Sequence, residues 1–195
     1  MELIIRNLSK SYGDLEVLTN INLRLQAGNI YCLMEPSGSG KTTLFRIILG
    51  LSKADSGRME GLNGIKTAAV FQENRLCEEF TPIDNLTMVT AGYSKESREK
   101  AKEALLRLLP EESLSRPVFT LSGGMKRRVA IARALWATSD MLLMDEPFTG
   151  LDQDTKRTVI RRIMECTKNK LVILSTHQEE DVRLLHGIPI KLGPV

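Results

Sequence analysis

The chain has 195 residues, enough for one domain with a substantial hydrophobic core. With 42% hydrophobic and 26% charged residues its composition is that of an ordinary globular protein, and a formal net charge of +3 is too small to argue for a nucleic-acid partner. No apolar run approaches the ~18 residues a membrane-spanning helix needs, and the opening Met1-Glu2-Leu3-Ile4-Ile5-Arg6 lacks the layout of a secretory leader, so the chain is expected neither to span a membrane nor to be exported.

Residues 2–6 and 21–25 read as strands, the second with Ile21, Leu23 and Leu25 on one face and Asn22 and Arg24 on the other. Residues 30–34 form a short continuous apolar run, which suits a strand buried on both faces. A glycine-rich turn follows, then a helix from Thr42 to Leu49 ended by Gly50, then a strand over 66–71. The middle changes character. Residues 84–91 and 95–109 read as helices, with Ala101, Ala104, Leu105, Leu108 and Leu109 at helical spacing. From Ser122 a further helix places Met125, Val129, Ala132 and Trp136 in one stripe, with Lys126, Arg127, Arg128 and Arg133 largely off it. Strand and helix then alternate again: strand 141–145, helix 153–167, strand 171–175, helix 178–185 and a last strand over 188–192. The alternation implies an α/β fold with a mainly parallel sheet, an antiparallel edge from the early strands and an inserted helical subdomain. The expected organisation is one domain over 1–195, with a core of 1–74 and 136–195 and a helical section over 75–135.

Cys32, Cys77 and Cys166 are far apart and no C-x-x-C occurs, so neither a zinc site nor a disulfide framework is expected. Cys32, inside the 30–34 run, reads as a buried reduced thiol, which fits a reducing cytoplasm. The basic cluster Lys126–Arg128, with Arg157, Arg161 and Arg162, reads as a solvated helix face. Nucleic-acid binding would want aromatic interleaving or a broader patch, and none is expected.

The chemistry-bearing pieces begin after strand 30–34. Gly38, Gly40, Lys41 and Thr42 supply most of the pattern G-x-x-x-x-G-K-[ST], in which backbone N–H groups wrap phosphate oxygens and the following helix adds its positive end. The stretch Ser37-Gly38-Ser39-Gly40-Lys41-Thr42-Thr43 is expected to hold a nucleotide. Lys41 would reach the β- and γ-phosphates, Thr42 would bind Mg²⁺, and Thr43 would bond the α-phosphate. Glu35 stands where the first glycine of the pattern is expected. Its carboxylate can turn outward, toward solvent or a base, or inward toward the phosphates. Two unit charges at ~4 Å repel by about 1 kcal/mol in water and about 4 kcal/mol near a protein surface. The outward reading is favoured, with ATP binding weakened but not abolished. Further on, the apolar run Met141-Leu142-Leu143-Met144 ends in Asp145 and Glu146, which places a carboxylate at a strand's C-terminal end, where it can hold Mg²⁺ through a water. Leu121-Ser122-Gly123-Gly124-Met125 opens a helix, with a hydroxyl and two glycine N–H groups available to an anion.

Together these pieces resemble the ATP-binding subunit of ABC transporters, over nearly the whole chain from Leu3 to about His186. The resemblance implies further roles. Glu146 would polarise the attacking water and His177 would touch the γ-phosphate and orient water and base. Gln72 would contact Mg²⁺ or the water. Ser122, Gly123 and Gly124 would bind the nucleotide of the opposite subunit, although Met125 replaces the amide usual at the end of that motif. Asp152, in Thr149-Gly150-Leu151-Asp152, would lie at the dimer interface, cap the next helix, or do both. Tyr12 would stack on adenine.

What the resemblance implies for the whole is a Mg²⁺-dependent ATPase acting as a head-to-tail pair with a second copy or a homologous subunit. It would drive an integral membrane permease that is a separate polypeptide, from the cytoplasmic face of the cell membrane. The layout is similar to microbial importers, and the Met125 signature to the nitrate, sulfonate and taurine group. Two other readings stay open: a non-transport ABC ATPase of translation or DNA repair, and a nucleotide-binding regulatory module with impaired turnover.

Overall fold

The computed structural model describes residues 1–36, 38–90 and 94–192. In chain order the elements are β1 (Glu2–Tyr12), β2 (Leu15–Gln26), β3 (Ile30–Leu33), α1 (Lys41–Ile48), β4 (Ser56–Glu60), β5 (Thr67–Val70), α2 (Pro82–Thr87), α3 (Lys95–Leu106), α4 (Gly123–Trp136), β6 (Met141–Met144), α5 (Gln153–Cys166), β7 (Leu171–Ser175), α6 (Glu179–Leu184) and β8 (Ile188–Ile190). They fall into two compact units. The first holds Met1–Thr67, Ser139–Glu146 and the chain from Thr167 onward; the second holds Ala68–Thr138 and Pro147–Cys166. The helical section expected over 75–135 lies within the second unit, and α5, which the sequence places with the core, groups there as well.

Two sheets build the first unit. One is antiparallel, in the order β2-β1-β4. Its inward face is made by Leu3, Ile5, Leu8, Leu18, Ile21 and Leu25, all at most 2% exposed. β1 and β2 are much longer than the periodicity predicts. The alternation is broken where the β1–β2 register shifts, between Ile5 and Leu8 and again before Lys10. Asn7 and Asn20 take left-handed backbone angles (φ 50° and 53°), which asparagine tolerates better than most residues. The Asn7 N–H is satisfied by Asn22 Oδ1 at 2.9 Å. β4 was not expected, because Ser56-Gly57-Arg58-Met59-Glu60 carries no apolar alternation. It exists by pairing with β1, and that pairing needs a glycine: a Cβ on Gly57 would lie 2.4 Å from the Asn7 carbonyl oxygen.

The other sheet is parallel, with β6, β7, β3 and β8 side by side in that order. Every residue of β6 and β7 is buried, which explains runs that are continuously apolar, up to the closing Ser175 of β7, rather than alternating. Each such side chain contributes about 1.5–3 kcal/mol on burial. The pairing Leu33↔Ser175 and Met144↔Leu174 brings the C-terminal ends of β3, β6 and β7 level with one another. The segments that leave those ends carry Glu35 to Thr42, Asp145-Glu146 and Thr176-His177, so the sheet order alone gathers them at one edge. β8 stops at Ile190, short of the expected Leu192. β5 crosses the boundary between the units at Thr67–Ala68.

The second unit is helical. α2 begins in a capping box: Thr81 Oγ1 accepts the Asp84 N–H and Asp84 Oδ2 accepts the Thr81 N–H. Pro82 at its first position fits a helix start better than the expected 84, and the helix ends at Thr87; residue 91 of the expected helix lies outside the described residues. α3 ends at Leu106, and Leu108 and Leu109 are buried in the turn beyond it. α4 packs against α2, α3 and α5. Being covered on several sides, it buries Arg127, Val129, Ala130, Ile131, Ala132 and Ala134 rather than one stripe. This corrects the reading of Lys126–Arg128 as a solvated face: Arg127 is 4% exposed.

Candidate functional site

In the first unit the chain leaves β3 through Met34, Glu35 and Pro36 and enters α1 at Lys41. Gly38 and Gly40 have φ of 86° and 90°, a region open to glycine and strained for other residues. Gly40 is constrained by space as well, since a Cβ there would lie 2.7 Å from both the Val17 carbonyl oxygen and Leu18 Cδ2. α1 starts with no acidic residue in its first turn. Lys41 is 5% exposed, and its ammonium donates to the carbonyl oxygens of Glu35 (2.5 Å) and Pro36 (2.8 Å). Ser39 Oγ is buried without a hydrogen-bond partner among the described residues. A buried cation, an unpaired buried hydroxyl and a bare helix start together fit a polyanionic group such as a nucleotide phosphate chain. Thr43 is half-buried one position further on, and Ser37 lies outside the described residues.

Glu35 turns its carboxylate outward, where its partner is not a base but a main-chain amide: Oε1 of the half-buried side chain accepts the backbone N–H of Leu192 at 3.0 Å.

Across the parallel sheet, Thr42 Oγ1 donates to Asp145 Oδ2 at 2.5 Å. Two hard oxygen donors at that spacing, one of them an ionisable carboxylate 4% exposed, suit Mg²⁺. The other Asp145 oxygen accepts the Ser175 hydroxyl at 2.7 Å, and the same Ser175 oxygen accepts the Glu146 N–H at 2.8 Å. Ser175, at the end of β7, thus fixes both the carboxylate of one acid and the backbone of the next. Glu146 has φ 46°, a left-handed conformation that costs a non-glycine residue about 1–2 kcal/mol. His177 Nε2 lies 2.7 Å from Glu146 Oε1. With Glu146 ionised, the histidine's proton must sit on Nε2 for this bond to form. The turn carrying His177 is held by Thr176, whose hydroxyl donates to the buried Asp181 (2.5 Å) and accepts the Gln178 N–H (3.2 Å).

Tyr12 stands at the end of β1, 50% exposed, with the Lys10 ammonium 5.2 Å from its ring centroid. Asp55 braces this corner, accepting from Lys10 Nζ at 2.6 Å and from the Ser11 N–H at 2.7 Å.

The remaining expected site residues belong to the second unit. Gln72 is exposed just after β5. Ser122 caps α4, its Oγ accepting the Met125 N–H at 3.3 Å, and Ser122 and Gly123 are exposed. Gly124 faces the 149–152 turn so closely that a Cβ would meet the Gly150 carbonyl oxygen at 3.3 Å. Asp152 Oδ1 accepts the Thr155 N–H at 2.9 Å, so it caps α5. That bond, first among several, holds its carboxyl below the usual carboxylate range.

The structure therefore brings Lys41, Thr42, Asp145, Glu146 and His177 together in one unit, with Gln72, Ser122, Gly123, Gly124 and Asp152 in the other. A phosphate cradle beside a paired hydroxyl and carboxylate matches what the family comparison finds, since the ABC transporter family model matches residues 18–149. The chain belongs to the ABC transporter family. It is 41% identical over 182 residues to the aliphatic sulfonates import ATP-binding protein SsuB of Corynebacterium glutamicum, covering 89% of this chain and 72% of that protein. It is 35% identical to the Nod factor export ATP-binding protein I of Rhizobium etli, over 92% of this chain but only 61% of that protein's length. Its fold is that of an ABC ATP-binding cassette. One such cassette, solved as a dimer in a post-hydrolysis state bound to ADP and Pi, superposes with a TM-score of 0.85 at 29% identity, over 97% of this chain and 93% of that one.

Sequence reasoning missed two residues of this ABC cassette. Ser175 could have been noticed as the one polar residue closing an apolar strand. Arg127 carried no signal, because charge alone does not tell a buried arginine from its solvated neighbours.

Proposed function

We propose that this chain is the ATP-hydrolysing subunit of a membrane transporter, converting ATP to ADP and phosphate in a head-to-tail pair. The observation that carries this reading is the connected set Thr42–Asp145–Ser175–Glu146–His177 beside the buried Lys41 ammonium. Lys41 exchanges its two loop carbonyls for β- and γ-phosphate oxygens. Thr42 and Asp145 hold Mg²⁺, which when bound neutralises charge on those oxygens. Thr43 and the Gly38–Gly40 backbone complete the cradle, with Ser37 and Ser39, and Tyr12 offers its exposed face to adenine. Glu146 accepts a proton from the attacking water and holds it in line, while His177 keeps the Glu146 carboxylate aimed. Catalysis of this kind is mostly positioning and charge stabilisation.

Ser122, Gly123 and Gly124, at an uncovered helix start, meet the nucleotide of a second copy, and Asp152 and Gln72 adjoin that interface and the metal. The dimeric bound state named for the similar cassette supports this arrangement. The partner that ATP-driven closure moves is an integral membrane permease, with this chain on the cytoplasmic side of the membrane. No helix among the described residues is long and apolar enough to cross a membrane itself. The similar proteins are named for sulfonate import and for Nod factor export, so cargo and direction are assigned to the permease.

The test is steady-state phosphate release by the purified chain and its Glu146→Gln variant, with nucleotide binding measured in parallel. Mg²⁺-dependent release that the substitution abolishes, with binding intact, supports the reading. Equal turnover by both proteins, or none by the parent at saturating MgATP, removes it.

A further inference from the structure

Arg127 is the least exposed charged side chain of α4, and its guanidinium donates to backbone and amide oxygens of two other stretches of chain. Nη1 donates to the carbonyl oxygens of Phe71 (2.5 Å) and Gln72 (3.3 Å) and to Asn74 Oδ1 (3.3 Å), and Nε donates to the carbonyl oxygen of Pro147 (3.1 Å). These contacts join three stretches of chain: the helix that begins at Ser122, the turn that carries Gln72, and the residue that follows Glu146.

The Phe71 carbonyl belongs to the peptide plane before the Gln72 Cα, and the Gln72 carbonyl to the plane after it. Holding both planes sets φ and ψ of Gln72, and with them the direction in which its side chain leaves the backbone. Six residues further along α4, Arg133 Nη2 donates to the next carbonyls, those of Asn74 (3.4 Å) and Arg75 (2.9 Å). The turn from 71 to 75 is thus suspended from one helix by its main chain. A buried cation is a poor device for stability alone, since an apolar replacement is often as good. It is a good device for geometry, because the N–H groups of a guanidinium lie in one rigid plane and so fix the directions of several acceptors, whereas the donors of an ammonium rotate about a single nitrogen.

We propose that Arg127 is a positioning residue for hydrolysis: it orients Gln72 and anchors the Pro147 backbone, so that α4 and the 71–75 turn move as one piece. This rests on the assignment of Gln72 to Mg²⁺ or the attacking water made above.

The test compares Arg127→Lys, Gln72→Ala and the double variant in the purified chain, measuring kcat, the Mg²⁺ concentration for half-maximal turnover, and ATP affinity in EDTA. Arg127→Lys is expected to lower kcat, and to raise the Mg²⁺ concentration for half-maximal turnover, by about tenfold, the scale seen for outer-sphere orienting groups. ATP affinity in EDTA should stay within about twofold, because the cradle around Lys41 does not use Arg127. In the Gln72→Ala background the arginine change should have little further effect. A silent Arg127→Lys, or effects that multiply in the double variant, overturns the proposal. If Gln72→Ala is itself silent, the Gln72 assignment falls and Arg127 with it, while the Glu146→Gln comparison still reports on ATP hydrolysis. Should Arg127→Lys not fold, Asn74→Ala removes one acceptor at a half-buried position. An unchanged kcat and Mg²⁺ dependence there would equally overturn the role.

Discussion

Leu192 donates its backbone N–H to the side chain of Glu35 at 3.0 Å. Two residues earlier, Ile190 accepts the N–H of Met34 at 3.2 Å, so the side chain takes up the β3–β8 pairing where the main-chain ladder ends. The acid that departs from the phosphate-loop pattern thus lengthens a strand pairing. It is the carbonyl of Glu35, not its carboxylate, that meets the Lys41 ammonium.

Removing that charge should therefore gain little. Nucleotide titration of Glu35→Gln, which keeps an acceptor for Leu192, should give an ATP affinity within about threefold of the parent, or ~0.65 kcal/mol. Glu35→Gly should bind ATP no more than about threefold tighter. It should also melt earlier, because losing the Leu192 bond costs about 1 kcal/mol. A gain of ten-fold or more in Glu35→Gly would mean that the carboxylate does face the phosphates.

Glu146→Gln should lower turnover by about a hundred-fold or more, the usual contribution of a general base, while leaving ATP affinity nearly unchanged. His177→Ala should lower it by a comparable factor, because the 2.7 Å contact ties His177 directly to the Glu146 carboxylate. The two effects should not multiply in the double variant, since they act through one contact. Phosphate release measured for the parent and the three variants decides this, and a His177→Ala variant with parental turnover would remove the orienting role.

How much of this was legible beforehand depends on the kind of signal. Buried parallel strands announce themselves: 30–33, 141–144 and 171–174 are apolar without interruption because both faces are covered. The acids at 145–146 and the glycines at 38 and 40 were visible because each stands at the end of such a run. The outer strands were visible only in part: 2–6 and 21–25 read as strands, but the rest of β1 and β2 did not, because Asn7 and Asn20 break the two-residue period at register shifts, and β4 is recruited by its partner rather than by its own pattern. Burial of a charged residue was the least legible. Arg127 is recognisable only once Phe71, Asn74 and Pro147 are known to converge on it.

Cys32 supplies a pH prediction. Its sulfur is packed so tightly that a Cβ on Gly187 would lie 2.5 Å away. Burial, aided by the nearby Asp181 charge, pushes the thiol up to about 12. A folded-state value above the unfolded one favours the protonated, folded form. That contribution is complete below about pH 8.5, where unfolded cysteine is also protonated, and is lost as pH rises toward 12. At pH 8, iodoacetamide should label the exposed Cys77 while sparing Cys32 until the chain is denatured. Mass spectrometry of the native digest checks this, and rapid native labelling at Cys32 would show that β3 opens far more readily than its burial implies.

Ser175 offers the sharpest test of how the two acids are held. Its oxygen donates to Asp145 at 2.7 Å and accepts from the Glu146 N–H at 2.8 Å, so one hydroxyl sets the metal-facing carboxylate and the left-handed turn that follows it. Ser175→Ala removes one hydrogen bond from the Asp145 carboxylate and one from the Glu146 N–H, at about 1 kcal/mol each. Ser175→Thr keeps the hydroxyl but adds a methyl where the residue is fully buried, so it should recover part of the function and lose stability by crowding. The expected result for Ser175→Ala is a kcat lowered and a Mg²⁺ requirement raised by about ten-fold. ATP affinity in EDTA should remain close to the parent, since Lys41 and Gly40 do not touch this hydroxyl. If Ser175→Ala instead only lowered the melting temperature, with kcat and Mg²⁺ dependence intact, the serine would be a packing residue. Asp145 and Glu146 would then be positioned without that hydroxyl.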